Sequence, residues 1–215
     1  MKIKRIFTHF TSVALVSATF AVPPTVNAIE FTDSETGIGI NAVTTVLKVD
    51  EFAFDDDLSD FDIFTFLTLE VMGKRPNTRL WRLSDGYFPM TAFLPTDRAF
   101  KKLVKSLTGV SYTRERRIYE VARTLGTDKL NQILLYHLVF GDPLLAEDVL
   151  AANDTLLATP REQTFRVVYD GTELKLRDKD RKRINPRVIL SRVDTNAGNY
   201  QVIHPINGVL IPNFS

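Results

Sequence analysis

Apolar residues recur at helical intervals early in the chain and alternate with polar ones late in it. Leu58, Phe61, Phe64, Leu67 and Val71 fall three or four positions apart, the spacing that lines one face of an α-helix. Residues 64–69 taken alone also fit an extended strand; the longer period predicts a helix. Residues 91–100 read as a short buried strand running into a helix. Pro95 ends the strand, Thr96 offers a capping hydroxyl, Asp97 adds a favourable charge to the first turn, and Phe100, Leu103 and Leu107 form the apolar face. A further helix is predicted from Asp128, with Leu130, Ile133, Leu134 and Leu138 as its stripe, His137 on the same side, and Gly141-Asp142-Pro143 as its stop.

From Asp154 onward the period shortens to two. Phe165, Val167 and Tyr169 precede Asp170-Gly171, and Leu174 and Leu176 alternate with Glu173, Lys175 and Arg177, which predicts a β-hairpin. Residues 188–190, 201–203 and 209–211 are three more short strand candidates, the last two separated by Pro205 and the Asn207-Gly208 turn. Helices first and antiparallel strands afterwards make an α+β fold the expectation.

Three stretches are set apart by composition. Residues 1–28 carry Lys2, Lys4 and Arg5, then an apolar and small run, no carboxylate, and Val26-Asn27-Ala28 as a cleavage pattern, so a signal peptide is expected with Ile29 as the mature start. Residues 29–57 form a weakly patterned lead-in, and residues 58–215 the domain. Loss of the first segment removes three of the 27 basic residues and none of the 26 acidic ones, leaving a net charge of −2. That balance argues against a nucleic-acid partner. No later apolar run reaches membrane-spanning length, so no membrane span is expected. With 44% hydrophobic and 25% charged residues the chain has the composition of a globular protein, and with no Cys its stability rests on packing rather than disulfides.

Candidate chemistry is sparse. His137 and His204 are the histidines left after residue 28, and neither stands in a zinc spacing; no Gly-x-Ser-x-Gly or phosphate-binding loop occurs. No metal, cofactor or catalytic centre is expected. Asp55-Asp56-Asp57, Asp60 and Asp62 lack the glycine and terminal glutamate of a calcium loop and read as a solvated approach to a helix N-terminus. Arg177, Lys179, Arg181, Lys182, Arg183 and Arg187 make residues 175–192 basic, as a solvated hairpin edge or as a site for acidic glycans or phospholipid headgroups. Phe52, Phe54, Phe61, Phe64 and Phe66 suggest core packing or, as an alternative, a site for an apolar ligand. Asn153 and Asn213 stand in glycosylation-acceptor patterns. Arg114-Glu115-Arg116-Arg117 reads as part of a charged surface insertion over residues 108–126.

Three motifs in order resemble those of fasciclin domains. Residues 91–100 are similar to T-V-F-A-P-T-D-x-A-F, residues 130–139 to a helix ending in L-x-Y-H-V, and residues 202–212 to a closing V-I-H-x-I-D-x-V-L-x-P. The match runs from about residue 40 to 213 in one copy. The resemblance implies an antiparallel β-wedge or sandwich with several helices packed at one end. It also implies a secreted, extracellular, periplasmic or cell-surface module that is not an enzyme and that binds a cell-surface or matrix protein or polysaccharide. Tyr136 and His137 match the pair linked with receptor binding in animal members, while Thr91, Phe93, Pro95, Thr96, Asp97, Phe100, Ile203, His204, Val209, Leu210 and Pro212 match the scaffold. Tyr200-Gln201, Leu138 and Asn207 depart from the pattern. The alternative function is an extracytoplasmic carrier of an apolar ligand such as a lipid or pigment; a hydrolase using paired carboxylates is a third class.

Overall fold

The 3–4 spacing after residue 58 and the alternation after residue 164 both become regular structure in the computed structural model, which describes residue 42 and residues 53–214. Residues 1–28, expected to be a signal peptide, lead-in residues 29–41 and 43–52 with Phe52, and Ser215 lie outside the described residues. Helix α1 spans Asp62–Lys74, strand β1 Met90–Pro95 and helix α2 Asp97–Thr108. Helix α3 spans Glu115–Ala122, α4 Thr127–Tyr136, strand β2 Leu138–Phe140 and helix α5 Ala146–Ala151. Strands β3 Leu156–Ala158, β4 Thr164–Tyr169, β5 Leu174–Arg177 and β6 Gln201–Ile206 complete the series. They form two three-stranded sheets, ordered β2-β1-β6 and β3-β4-β5.

Helix α1 buries Ile63, Phe64, Leu67, Val71 and Met72, so the helical reading of this segment holds. Pro76, two residues beyond its end, cannot continue it. Helix α2 stops where Gly109 takes a φ of +76°, a conformation that costs a residue with a Cβ roughly 1 kcal/mol or more. The α2 stripe is shorter than expected: Phe100 and Leu103 are buried, whereas Leu107 is exposed. Thr96 precedes α2 but its hydroxyl does not cap it.

Strand β1 is buried at all six positions because it lies between two cores. Met90, Ala92 and Leu94 face a core shared with α1, α2, α3 and α4, while Phe93 faces a smaller one built from Val167, Leu174, Leu176, Ile206 and Leu210. Each large apolar side chain fully buried in either core contributes about 1.5–3 kcal/mol.

The β4–β5 hairpin forms as its alternation predicts, with Asp170 Oδ1 accepting from the amides of Thr172 and Glu173 across a turn in which Gly171 has φ +95°. Four expectations are corrected. Strand β6 pairs with β1 in parallel, Met90 opposite Gln201 through Pro95 opposite Ile206, and continues through Pro205; β6 is an edge strand, where a missing N–H is tolerated. Residues 188–190 give only a bridge from Val188 to Ile206 before a 3-10 turn, and residues 209–211 run extended without strand pairing. Helix α4 ends at Tyr136, before the Gly-Asp-Pro stop, because His137 turns the chain into β2. Residues 115–122, read as part of a surface insertion, are helix α3, with Ile118 and Ala122 in the core.

Candidate interaction surface

The matched motif residues act as staples between elements. Asp97 Oδ1 accepts the amide of Ile63 at 2.9 Å, and the amides of Asp97 and Arg98 donate to Asp60 and Leu58 carbonyls, so α2 and α1 start from one knot. Thr91 Oγ1 accepts the amide of Leu144 at 2.8 Å, and His204 Nε2 donates to the Leu144 carbonyl at 2.8 Å. Asp194 Oδ1 accepts the amide of Ala146 at the start of α5. Burial holds His204 below the ordinary imidazole pKa, against the opposing pull of the Leu144 carbonyl and Asp194.

Tyr136 and His137 are 2% and 0% exposed, so in this conformation the pair offers no surface to a partner. His137 Nδ1 donates to the Ile133 carbonyl at 2.7 Å, while Nε2 accepts the Leu210 amide at 2.9 Å. Those partners require a neutral ring, and burial pushes the pKa down to about 4 despite the Ile133 carbonyl. The Tyr136 hydroxyl donates to the Thr164 carbonyl at 2.7 Å, and its pKa is raised by burial and by Asp178. Its ring meets Phe165 edge-on at 5.9 Å, and Phe165 meets Phe93 in the same way at 5.5 Å.

Beside the backbone segments that these two side chains hold lies a groove. It encloses about 1440 Å³, with Thr164 and Ile211 in its lining. Tyr136 fixes Thr164, His137 fixes Leu210, and Asp178 Oδ2 accepts the amide of Ile211 at 2.8 Å. Burial pushes the Asp178 carboxyl up to about 6. Gln163 and Asn213 exchange two hydrogen bonds of 2.9 Å, which ties the end of the chain to the β3–β4 connection.

Six cations, Arg166, Arg177, Lys179, Arg181, Lys182 and Arg183, line this groove against three acids, Glu162, Asp178 and Asp180. Arg166 pairs with Asp154 at 2.9 Å and Arg183 with Asp180. Arg177, Lys179, Arg181 and Lys182 are exposed and make no ion pair among the described residues. The basic stretch therefore lines a concavity, and Ile184 within the same stretch stands 86% exposed. A smaller hollow of about 610 Å³ adjoins it at Glu162 and adds Lys74, Arg75, Arg79 and Arg161.

Beside helix α1, among the described residues, the apolar alternative finds little room. The space bounded by Ala42, Phe64, Leu83 and Leu94 amounts to about 10 Å³, near the minimum for one water. Phe61 and Phe64 are core, and Phe54 packs on Phe66 at 4.5 Å.

Two features escaped sequence reasoning. Gln201, a departure from the motif, is wholly buried; it accepts the Ala42 amide and donates to the carbonyls of Arg82 and Asp85 at 2.9 and 2.8 Å. Asp60 and Asp62, expected to be solvated, are buried, as is Glu115.

Comparison with known proteins agrees with this geometry. A structure of a FAS1 domain pair from the insect cell adhesion molecule fasciclin I is similar to this chain, with TM-score 0.52 and 16% identity. The match covers 80% of this chain and half of that one, and shows a shared α+β fold. No curated protein sequence matches the chain. The sequence profile of the fasciclin domain matches residues 74–212, well over half of the chain, and the chain therefore belongs to the fasciclin domain family.

Proposed function

We propose that this protein is an exported, non-enzymatic adhesion module that holds an acidic polysaccharide of a cell surface or matrix in its basic groove. In this reading residues 1–28 are removed on export and residues 58–215 form the binding domain. The family is one of adhesion-type modules, and the similar insect structure comes from a cell adhesion molecule. No helix among the described residues is long and apolar enough to cross a membrane.

One observation carries the proposal: four exposed cations, without ion-pair partners among the described residues, line an open concavity in which Thr164 and Ile211 are held by hydrogen bonds to Tyr136 and Asp178. Guanidinium and ammonium groups so placed attract repeated carboxylates or sulfates along a polymer, and the attraction is screened by salt. Binding rather than chemistry is favoured by the two described histidines. Both are buried and have both ring nitrogens occupied by backbone groups, so neither is presented to a substrate.

The test is binding of polygalacturonate, with neutral dextran as control, measured by biolayer interferometry from 50 to 500 mM NaCl. The proposal expects saturable polygalacturonate binding that weakens steadily with salt, and none to dextran. Equal binding to both polymers, or to neither, would overturn it. Binding to anionic phospholipid vesicles instead would move the partner from glycan to membrane surface.

A further inference from the structure

Three helices begin at one place, and each brings a carboxylate into the interior. Asp62 opens α1, Asp97 opens α2 and Glu115 opens α3; with Asp60 just before α1, all four are at most 6% exposed. Asp60, Asp62 and Asp97 bring one oxygen each within 4.8 Å of one another. Asp60 also belongs to a second triplet of the same tightness, with Glu115 and the exposed Asp55. Oxygen ligands thus run from the surface at Asp55 to the interior at Asp97.

Backbone amides satisfy part of this cluster. Asp97 Oδ1 accepts from Ile63, and Glu115 Oε2 accepts from Asp56 at 3.0 Å while Asp56 Oδ1 accepts from the Glu115 amide in return. Helix N-termini favour nearby negative charge. Glu115 Oε1 remains: it is fully buried, has no hydrogen-bond partner among the described residues, and belongs to the carboxyl group that closes on Asp60 and Asp55. A buried oxygen of this kind is costly unless something other than an amide engages it.

We infer that the cluster is a divalent-cation site that takes calcium around Asp60, with Glu115 and Asp55 toward solvent and Asp62 and Asp97 behind. The donors are all carboxylate oxygens, the hard set that calcium accepts in variable number and geometry, and neither described histidine belongs to the cluster. Because the ligands come from the starts of α1, α2 and α3, an ion there ties three helices together. Its binding is therefore expressed as stability of the fold.

The experiment uses the full chain, stripped with EDTA and desalted, melted in 0 to 5 mM CaCl₂ at constant ionic strength, with native mass spectrometry of the same samples. One bound calcium and a saturable rise in Tm of roughly 5 °C are expected. Glu115→Gln should abolish the rise. Asp55→Asn, at an exposed position that does not threaten folding, should weaken the apparent calcium affinity about tenfold, as loss of one charged ligand does. An unchanged Tm with no calcium in the mass spectrum overturns the inference, and a Glu115→Gln variant that then melts above the parent assigns the cluster to a proton instead. An equal rise with MgCl₂ overturns the choice of calcium.

Discussion

The acid-rich approach to α1 and the basic stretch after β5 are similar in sequence and opposite in the fold. Each is a run rich in like charges, the first read as a solvated approach to a helix N-terminus and the second as a solvated hairpin edge or a site for acidic ligands. In the structure Asp60 and Asp62 are buried among helix N-termini, whereas Arg177, Lys179, Arg181 and Lys182 remain at the surface around a groove. The difference comes from what surrounds each run. Helix starts present unpaired amides that favour buried carboxylates, while the edge of a hairpin presents nothing that would repay burying an arginine. Buried ionisable groups in this protein should therefore govern stability, and exposed ones binding.

The strongest test of that division is His137, a wholly buried ionisable group. Its pKa of about 4 lies below the ordinary 6.5, so between those values the unfolded chain takes up a proton that the folded ring refuses. Its contribution is complete above pH 6.5 and is lost as pH falls toward 4, by about 3 kcal/mol. Glu115 and Asp178, whose carboxyls are pushed up to about 7 and 6, act with the opposite sign over an overlapping range. The clean readout is consequently the His137 ring itself: its NMR shifts should stay those of the neutral Nδ1–H form down to about pH 4. A midpoint near 6.5 would mean that the ring is not enclosed as described.

Next in size is Asp97. Asp97→Ala strands the Ile63 amide in the interior and should cost about 2 kcal/mol in urea unfolding with EDTA present. Asp97→Asn keeps an acceptor and should cost less; an alanine variant as stable as the parent would show that the cluster is held by something else. Tyr136→Phe removes one hydroxyl bond to Thr164 and should cost about 1 kcal/mol, with weaker polygalacturonate binding because Thr164 in the groove lining loosens. Full stability with binding lost would instead return Tyr136 to direct contact with the partner.

Legibility in the sequence followed the range of the interactions. The strand-to-helix step at residues 90–108 and the β4–β5 hairpin were readable because period, turn residues and breakers are local. The parallel pairing of β6 with β1 was not, since it joins residues about 110 positions apart and Pro205 argued against a continuous strand. Helix α3 was hidden by its charges: Arg116 and Arg117 face solvent, Glu115 is buried although charged residues are usually exposed, and Ile118 and Ala122 are the apolar residues buried at full depth. Among the site residues, the motif located Tyr136 and His137, but only the contacts to Thr164 and Leu210 show which backbone segments they hold. Residues 177–183 were visible as a charge run and not as the lining of a groove, because concavity depends on where residues 211–214 return.

The smallest expected effect on stability accompanies the most direct test of function. Replacing Arg177, Lys179, Arg181 and Lys182 together by Glu should leave the free energy of unfolding in urea within about 0.5 kcal/mol of the parent, as exposed charges without ion pairs among the described residues contribute little. The same variant should lose salt-sensitive binding to polygalacturonate at 50 mM NaCl. Retained binding in a variant that folds as the parent does would contradict the groove as the adhesive surface.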